Sequence, residues 1–415
     1  MTRTVVVLGA SFAGLPIAHF LLRLRERERS LADLRVVLVT PSDSFYWPIS
    51  SVRAAAAPDL LSEDKYFYPL SESFAPYLSS PPPSPSAPGF ELVRGAAETL
   101  SPDDSAVTVR LVGADGSART IAYHTLVVAT GSRYRDDDDV PWKDAPGGTA
   151  HTRASLAHLQ ARVRDAESIV VAGAGITGVE FAGELGSAYG GGRKRITLVS
   201  AGDLPLGPEL ADRVREAARR ELEGLGVRVV TGARVVVAAP AKDDGTVKLL
   251  RPNDDGGVVV ETLAADLVVP AYGVAYNSGF APARMRDPDG SGRLRQGPDL
   301  RAPGLRNVFV LGDVGNLQPD HAAHAAAQAR HLMGQFRAYF AGGDDDDDVE
   351  LEPYVFDADK VQVAVSIGRG RGTGQFGRFR IPSLVVWWLK GRYLGTDHAP
   401  AYASGSSGVR GAWPK

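Results

Sequence analysis

The sequence predicts an α/β protein with two Rossmann-like dinucleotide-binding domains and a small C-terminal α+β unit, and three observations carry that reading. An apolar run, a glycine-spaced turn and an amphipathic stretch follow one another near the start, as VVVLGASFAGL at 5–15. The same order returns at 168 as SIVVAGAGITGVEFAGEL. Far downstream, NVFVLGD at 307–313 has the composition of a third buried strand. A strand–turn–helix–strand unit that recurs within one chain marks a duplicated nucleotide-binding fold.

In chain order, 4–9 and 35–39 (RVVLV) read as buried strands joined by a helix from about Ala13 to Arg29. Residues 77–89 (YLSSPPPSPSAPG) read as a surface loop of polyproline character. ELVRG, VTVRLVG and TIAYHTLVVATGS form a small antiparallel section ending in a buried strand at Thr125–Ala129. RDDDDVPW is a charged turn. After the second unit, 226–239 and 247–260 supply further strands, and DLVVPAYG at 266–273 closes the section. An alanine-rich helix follows NVFVLGD to about Phe340, and GGDDDDDVE at 342–350 reads as a linker. Both aspartate runs are solvated loops rather than metal sites, because nothing orients their carboxylates. The expected division is 1–150 with 295–342 as one discontinuous domain, 151–294 as the second, and 349–415 as the C-terminal unit.

Composition narrows the chemistry. The chain has 415 residues, 44% hydrophobic and 23% charged, as in a protein with a large core. A formal charge of -3 gives no reason to expect nucleic acid as a partner. The absence of cysteine excludes disulfides, thiol nucleophiles and a redox-active dithiol, so any electron transfer needs a bound cofactor. No apolar run approaches the ~20 residues of a spanning helix, and Arg3 followed by apolar residues reads as a strand start rather than a secretory signal. A cytoplasmic location is expected.

In the second turn, Gly173 permits the tight bend, Gly175 lets backbone approach a pyrophosphate, and Gly178 lets the helix pack on the strand. The first turn runs Gly9, Ala10, Ser11, Phe12, Ala13, Gly14 and departs only at Ser11, whose hydroxyl either caps the helix or donates to a phosphate oxygen. The bland alternative is an apolar strand beside an ordinary turn. An acid that would hold ribose hydroxyls is missing after both second strands, which end at Thr40 and Ser200. Thr40, Ser42 or Asp43 stands in at the first site. At the second, nothing repels a 2′-phosphate, so NADH and NADPH are both expected donors with weak discrimination. Arg193, Lys194 and Arg195 precede their strand and belong at its wrong end.

With the two turns, ATG at Ala129, Thr130 and Gly131, GD at Gly312 and Asp313, and VAVSIGRGRGTGQFGRF followed by VVWWLKGRYL, the chain resembles the pyridine-nucleotide–disulfide-reductase-fold flavoproteins. Within that group it looks like the apoptosis-inducing-factor-like, ferroptosis-suppressor-type NAD(P)H oxidoreductases, which are related to type II NADH dehydrogenases. The resemblance implies FAD in the first site, NADH or NADPH in the second, and a quinone-like small acceptor. It implies that Gly9–Gly14 holds the FAD pyrophosphate, that Arg53 and the backbone of Ala97 contact FAD, and that Asp313 takes a ribityl hydroxyl. It places Glu180 near the junction of nicotinamide and flavin, as the candidate catalytic acid. The alternatives are a reductase of a ferredoxin-like protein and a non-enzymatic flavin-binding module. Thr2, where relatives with an N-terminal lipid anchor carry glycine, argues against such an anchor. His321 and His324 are expected to make helix-start contacts on a helix beginning near Asp320, with its positive end toward the flavin. In RFRIPSLVVWWLKGRYL, Trp387 and Trp388 among basic residues either pack into the core or lie peripherally in a membrane interface. Oligomeric state is left open.

Overall fold

The computed structural model describes residues 2–78, 89–101, 103–113, 116–135, 140–144, 147–236, 245–253, 255, 257–342, 349–357 and 361–406. The proline-rich loop and both aspartate runs fall largely outside the described residues.

The first sheet has seven strands in the order Val308–Val310, Thr125–Val128, Thr4–Leu8, Arg35–Thr40, Phe90–Leu100, Ala106–Leu111, Ala118–Ala122. The first five are parallel and the last two complete an antiparallel meander at one edge. Val5 and Val7 face one core cluster, and Val6 and Leu8 face another on the opposite side. Burial on both faces explains why these parallel strands read as continuous apolar runs. The helix Gly14–Arg27 crosses from Thr4–Leu8 to Arg35–Thr40 and packs beside Ala322–Ala341.

The second sheet is parallel, ordered Val227–Val230, Arg195–Val199, Ser168–Ala172, Leu267–Pro270, with the helix Ile176–Tyr189 as its first crossover. An antiparallel sheet of Arg234–Val236, Thr246–Pro252 and Val258–Ala264 is inserted before its last strand. The chain leaves this unit before residue 294. Val274–Tyr276 pairs with Ser132–Tyr134, and Phe280, Ala281, Met285 and Leu294 join the core beneath the first sheet.

The C-terminal unit is an antiparallel sheet of Gln362–Ile367, Arg371–Phe376 and Phe379–Ile381, followed by short helices. It bridges the other two units. Trp47 Nε1 donates to the Leu394 carbonyl at 2.9 Å, and Arg53 donates to the Gly391 and Arg392 carbonyls. On the other side Ser366 donates to Glu180. Among the described residues no helix is long and apolar enough to cross a membrane.

Candidate functional site

A cavity of about 920 Å³ opens over the carboxyl ends of the first parallel sheet. Those strand ends deliver Gly9–Ala13, Thr40, Ala129–Ser132 and Gly312–Asp313 to its wall. Strands added after Thr4–Leu8 first extend the sheet on one side and then, from Thr125–Val128 onward, on the other, and at such a switch in strand order open α/β sheets bind ligands. The strands crowd there. A Cβ on Gly9 would strike the Ala129 carbonyl, and one on Gly14 would strike the Gly9 carbonyl. The second turn repeats the construction, with Gly178 closing onto the Gly173 carbonyl. A Cβ on Gly175 would meet no protein atom within 4 Å. That glycine keeps open a space the protein itself does not fill.

Ser11 takes the place of Gly175 in the first turn and lines the cavity. Its hydroxyl does not cap the helix: the capping position is Ala13, with no side-chain cap. Of the three stand-ins for the missing acid, Thr40 alone reaches the wall, where its Oγ1 accepts from the Ser42 backbone at 3.3 Å. Ser42 bonds Asp144, and Asp43 pairs with Arg94. Ala97 lines the cavity beside a register shift in its strand, and Thr130 is tied to Asn277 by reciprocal hydrogen bonds.

The far end of the cavity leaves the first unit. Ile176, Thr177 and Glu180 come from the helix behind the second turn; Ala364, Leu389, Lys390, His398 and Tyr402 come from the C-terminal unit. Buried Glu180 accepts from Lys390 Nζ at 2.6 Å and from the Ser366 amide and hydroxyl at 2.9 and 3.0 Å. Lys390 also donates to the Ala364 carbonyl.

Asp313 sits on the cavity wall in the turn Gly312–Val314 just beyond its strand, and its partner is a cation that the sequence reading missed. Lys143 Nζ stands 2.6 Å from Asp313 Oδ2, Ser132 donates to the same oxygen at 2.9 Å, and Lys143 also bonds Ser132. Burial opposes ionisation of Asp313, but Lys143 and then Ser132 outweigh it and hold the carboxyl below its ordinary range. Burial likewise opposes charge on Lys143, and Asp313 overcomes it, raising the amine. Neighbouring Asp320 is pushed up by burial and by Asp313, though Arg293 pairs with it at 2.6 Å. The following helix begins at Ala322, near Asp320 as expected, and His321 caps it by accepting the Ala323 amide. Burial, then Lys390 and His324, push His321 down to about 4, so the cap is a neutral imidazole. Ala322 and Ala323, at the positive end of this helix, line the cavity.

Arg53 is placed elsewhere. It is buried, pairs with Glu184 at 2.8 Å, and lines a separate pocket of about 300 Å³ with Trp387 and Arg392. Core packing fails for one tryptophan of the tail: Trp388 is 64% exposed, beside Leu384 at 72% and Leu389 at 53%. Trp47, Trp142, Lys143 and Lys390 were not legible as wall residues, since no spacing rule links them to either turn. The set fits a flavin dinucleotide: a tight first turn whose Gly9–Ala13 border the cavity, apolar walls, helix N-termini and a length that spans the units. About 920 Å³ falls within the ~300–1,000 Å³ usual for ligand pockets.

Residues 3–329 match the family described as pyridine nucleotide-disulphide oxidoreductase. Oxidoreductase ptaL of Pestalotiopsis fici is 32% identical, over 97% of this chain and 99% of its own length. Ferroptosis suppressor protein 1 of Taeniopygia guttata is 26% identical, over 79% of this chain and 79% of its own length as far as the aligned 340 residues of the match extend. Among solved structures, sulfide:quinone oxidoreductase of Aquifex aeolicus superposes with a TM-score of 0.71 at 14% identity, covering 97% of this chain and 92% of that one. NDH2 of Plasmodium falciparum in complex with NADH gives 0.72 at 12% identity, covering 99% and 100%. At such identities the two structures establish the fold alone.

Proposed function

Because the chain belongs to the pyridine nucleotide-disulphide oxidoreductase family, which is FAD-dependent and uses NAD(P)H, we propose that it oxidises NADH or NADPH and delivers the electrons to a quinone-like small acceptor. The observation that carries this reading is the cavity's reach: one space runs from the first glycine turn to the helix of the second and on to the C-terminal unit. Bound FAD supplies a ring that accepts hydride and passes electrons on.

The protein's part is to hold and to tune. The Gly9–Gly14 turn and its helix N-terminus bind the pyrophosphate. Asp313, kept ionised by Lys143, would accept a hydrogen bond from a ribityl hydroxyl. The N-terminus of Ala322–Ala341, which borders the cavity, would favour negative charge on a ring held against it. Glu180 fixes Lys390 on the cavity wall where the three units meet, and Lys390 would supply a cation near the donor and the ring if both bind there. With no cysteine in the chain, the electrons leave for an external acceptor.

An apolar acceptor is supported by the tail. Leu389 belongs to the cavity wall and is also exposed, and Leu384, Val385 and Trp388 extend the same apolar surface. Such a face suits contact with a lipid interface from which a quinone enters. The test is anaerobic mixing with NADH, followed by quinone. Bleaching of the flavin and recovery on quinone addition are expected. Bleaching that recovers only with a ferredoxin-like protein would replace the acceptor, and no bleaching with either nucleotide would remove the enzyme reading.

A further inference from the structure

Coenzyme choice at the second site rests on the loop that follows the strand Arg195–Val199. Gly173 donates to the Val199 carbonyl at 3.0 Å, so the glycine turn and the end of that strand lie side by side. Leu206 then donates to the Ala174 carbonyl at 2.7 Å, which brings the loop 200–206 back onto the turn. In this architecture the adenine ribose lies at the end of the second strand. Ser200, the residue at that end, is buried and donates its hydroxyl to the Leu204 carbonyl. It is committed to shaping the loop.

The loop carries an acid three residues later. Asp203 is 84% exposed, and its Oδ1 accepts from Arg215 Nη2 at 2.8 Å. Arg215 is buried on the helix Asp212–Glu223 and also donates to Asp212 Oδ1 at 2.9 Å. Its buried Nε has no partner among the described residues. Bonding to Arg215 holds the Asp203 carboxyl below its ordinary range, so it is ionised at neutral pH. Two carboxylates share one guanidinium, and the cluster carries a net negative charge. Held in this way, the exposed Asp203 carboxylate on the loop can accept hydrogen bonds from ribose hydroxyls and repel a 2′-phosphate, while Asp212 lies off the loop at the start of the helix.

We propose that Asp203, positioned by Arg215, reads the adenine-ribose hydroxyls at the second site and sets a preference for NADH over NADPH. This rests on the reading of that site as the donor site. It supplies the acid that the strand end lacks, displaced onto a loop and fixed from an adjacent helix.

The experiment is calorimetric titration of the full-length protein with ADP-ribose and with 2′-phospho-ADP-ribose, which needs neither flavin nor turnover. Wild type is expected to bind ADP-ribose at least ~10-fold more tightly, the scale of one charge-assisted hydrogen bond. Asp203→Asn should reduce that ratio at least ~10-fold, again one such bond, with its melting temperature kept. Asp212→Asn removes the same charge from Arg215 outside the loop and should leave the ratio within about threefold, since it removes only a screened surface charge. Tighter wild-type binding of the phosphorylated fragment, or equal loss of preference in the two variants, would overturn the proposal alone. Binding of neither fragment would overturn it together with the donor-site reading.

Discussion

Asp313→Ala separates the two roles assigned to the carboxylate at the end of Val308–Val310. The substitution removes the acceptor of Lys143 at 2.6 Å and of Ser132 at 2.9 Å. Breaking a fully buried ion pair costs about 3–5 kcal/mol, whereas an exposed pair is worth about 0–1. The two side chains are 23% and 20% exposed, nearer the buried limit, so a loss of about 2–3 kcal/mol is expected for the apoprotein. A second loss falls on FAD: one charge-assisted hydrogen bond is worth about 1.5–3 kcal/mol, or roughly 10–150-fold in Kd. The assays are thermal melting of apoprotein and fluorescence titration with FAD. The double variant Asp313→Ala, Lys143→Met should recover at least half of the lost stability while leaving FAD binding weak. If FAD affinity stays within about threefold of wild type in the single variant, well under one hydrogen bond, the carboxylate does not hold the cofactor. If the double variant regains FAD affinity, Asp313 serves only to neutralise Lys143.

The pair also fixes a pH signature. Asp313 has a depressed pKa when folded, so its contribution is present above the ordinary aspartate value of about 4 and is lost as pH falls through the depressed value; Lys143, raised when folded, contributes below about 10.4 and loses its contribution as pH rises through the raised value. Melting of wild type against Asp313→Ala should therefore converge in strong acid and stay apart near neutrality. At the glycine turns, Gly175→Ala should fold with its melting temperature nearly unchanged and raise the KM for the nucleotide, because the new Cβ meets only the space reserved for ligand, whereas Gly14→Ala should lose FAD and fold poorly, because its Cβ strikes backbone; equal behaviour of the two by melting and nucleotide titration would contradict this. Arg53→Met should destabilise by about 3–5 kcal/mol through the stranded Glu184 carboxylate, and a double Arg53→Met, Glu184→Leu should recover much of it in the same melting assay. Trp388→Ala should keep both FAD and melting temperature while reducing flotation with anionic liposomes; unchanged flotation would take that side chain out of membrane contact.

The sequence by itself determined the local units. Apolar runs followed by glycine turns have few other uses, so both strand–turn–helix units and the strand leading to Asp313 were legible, to within a few residues at their boundaries. The lack of cysteine settled that electrons must pass through a bound cofactor. What only the tertiary structure decided lies between distant segments. Lys143 meets Asp313 across 170 positions, and Lys390 meets Glu180 across 210, because three units converge on one cavity. Arg53 faces Glu184 instead of the cavity, since a buried guanidinium is held wherever a carboxylate and free carbonyls coincide. The tail's tryptophans have core composition, yet Trp388 faces outward, because the short C-terminal sheet and its helices cover only one side of that segment. Periodicity reports what a segment does along its own axis; which groups pair across the cavity depends on packing among segments hundreds of residues apart.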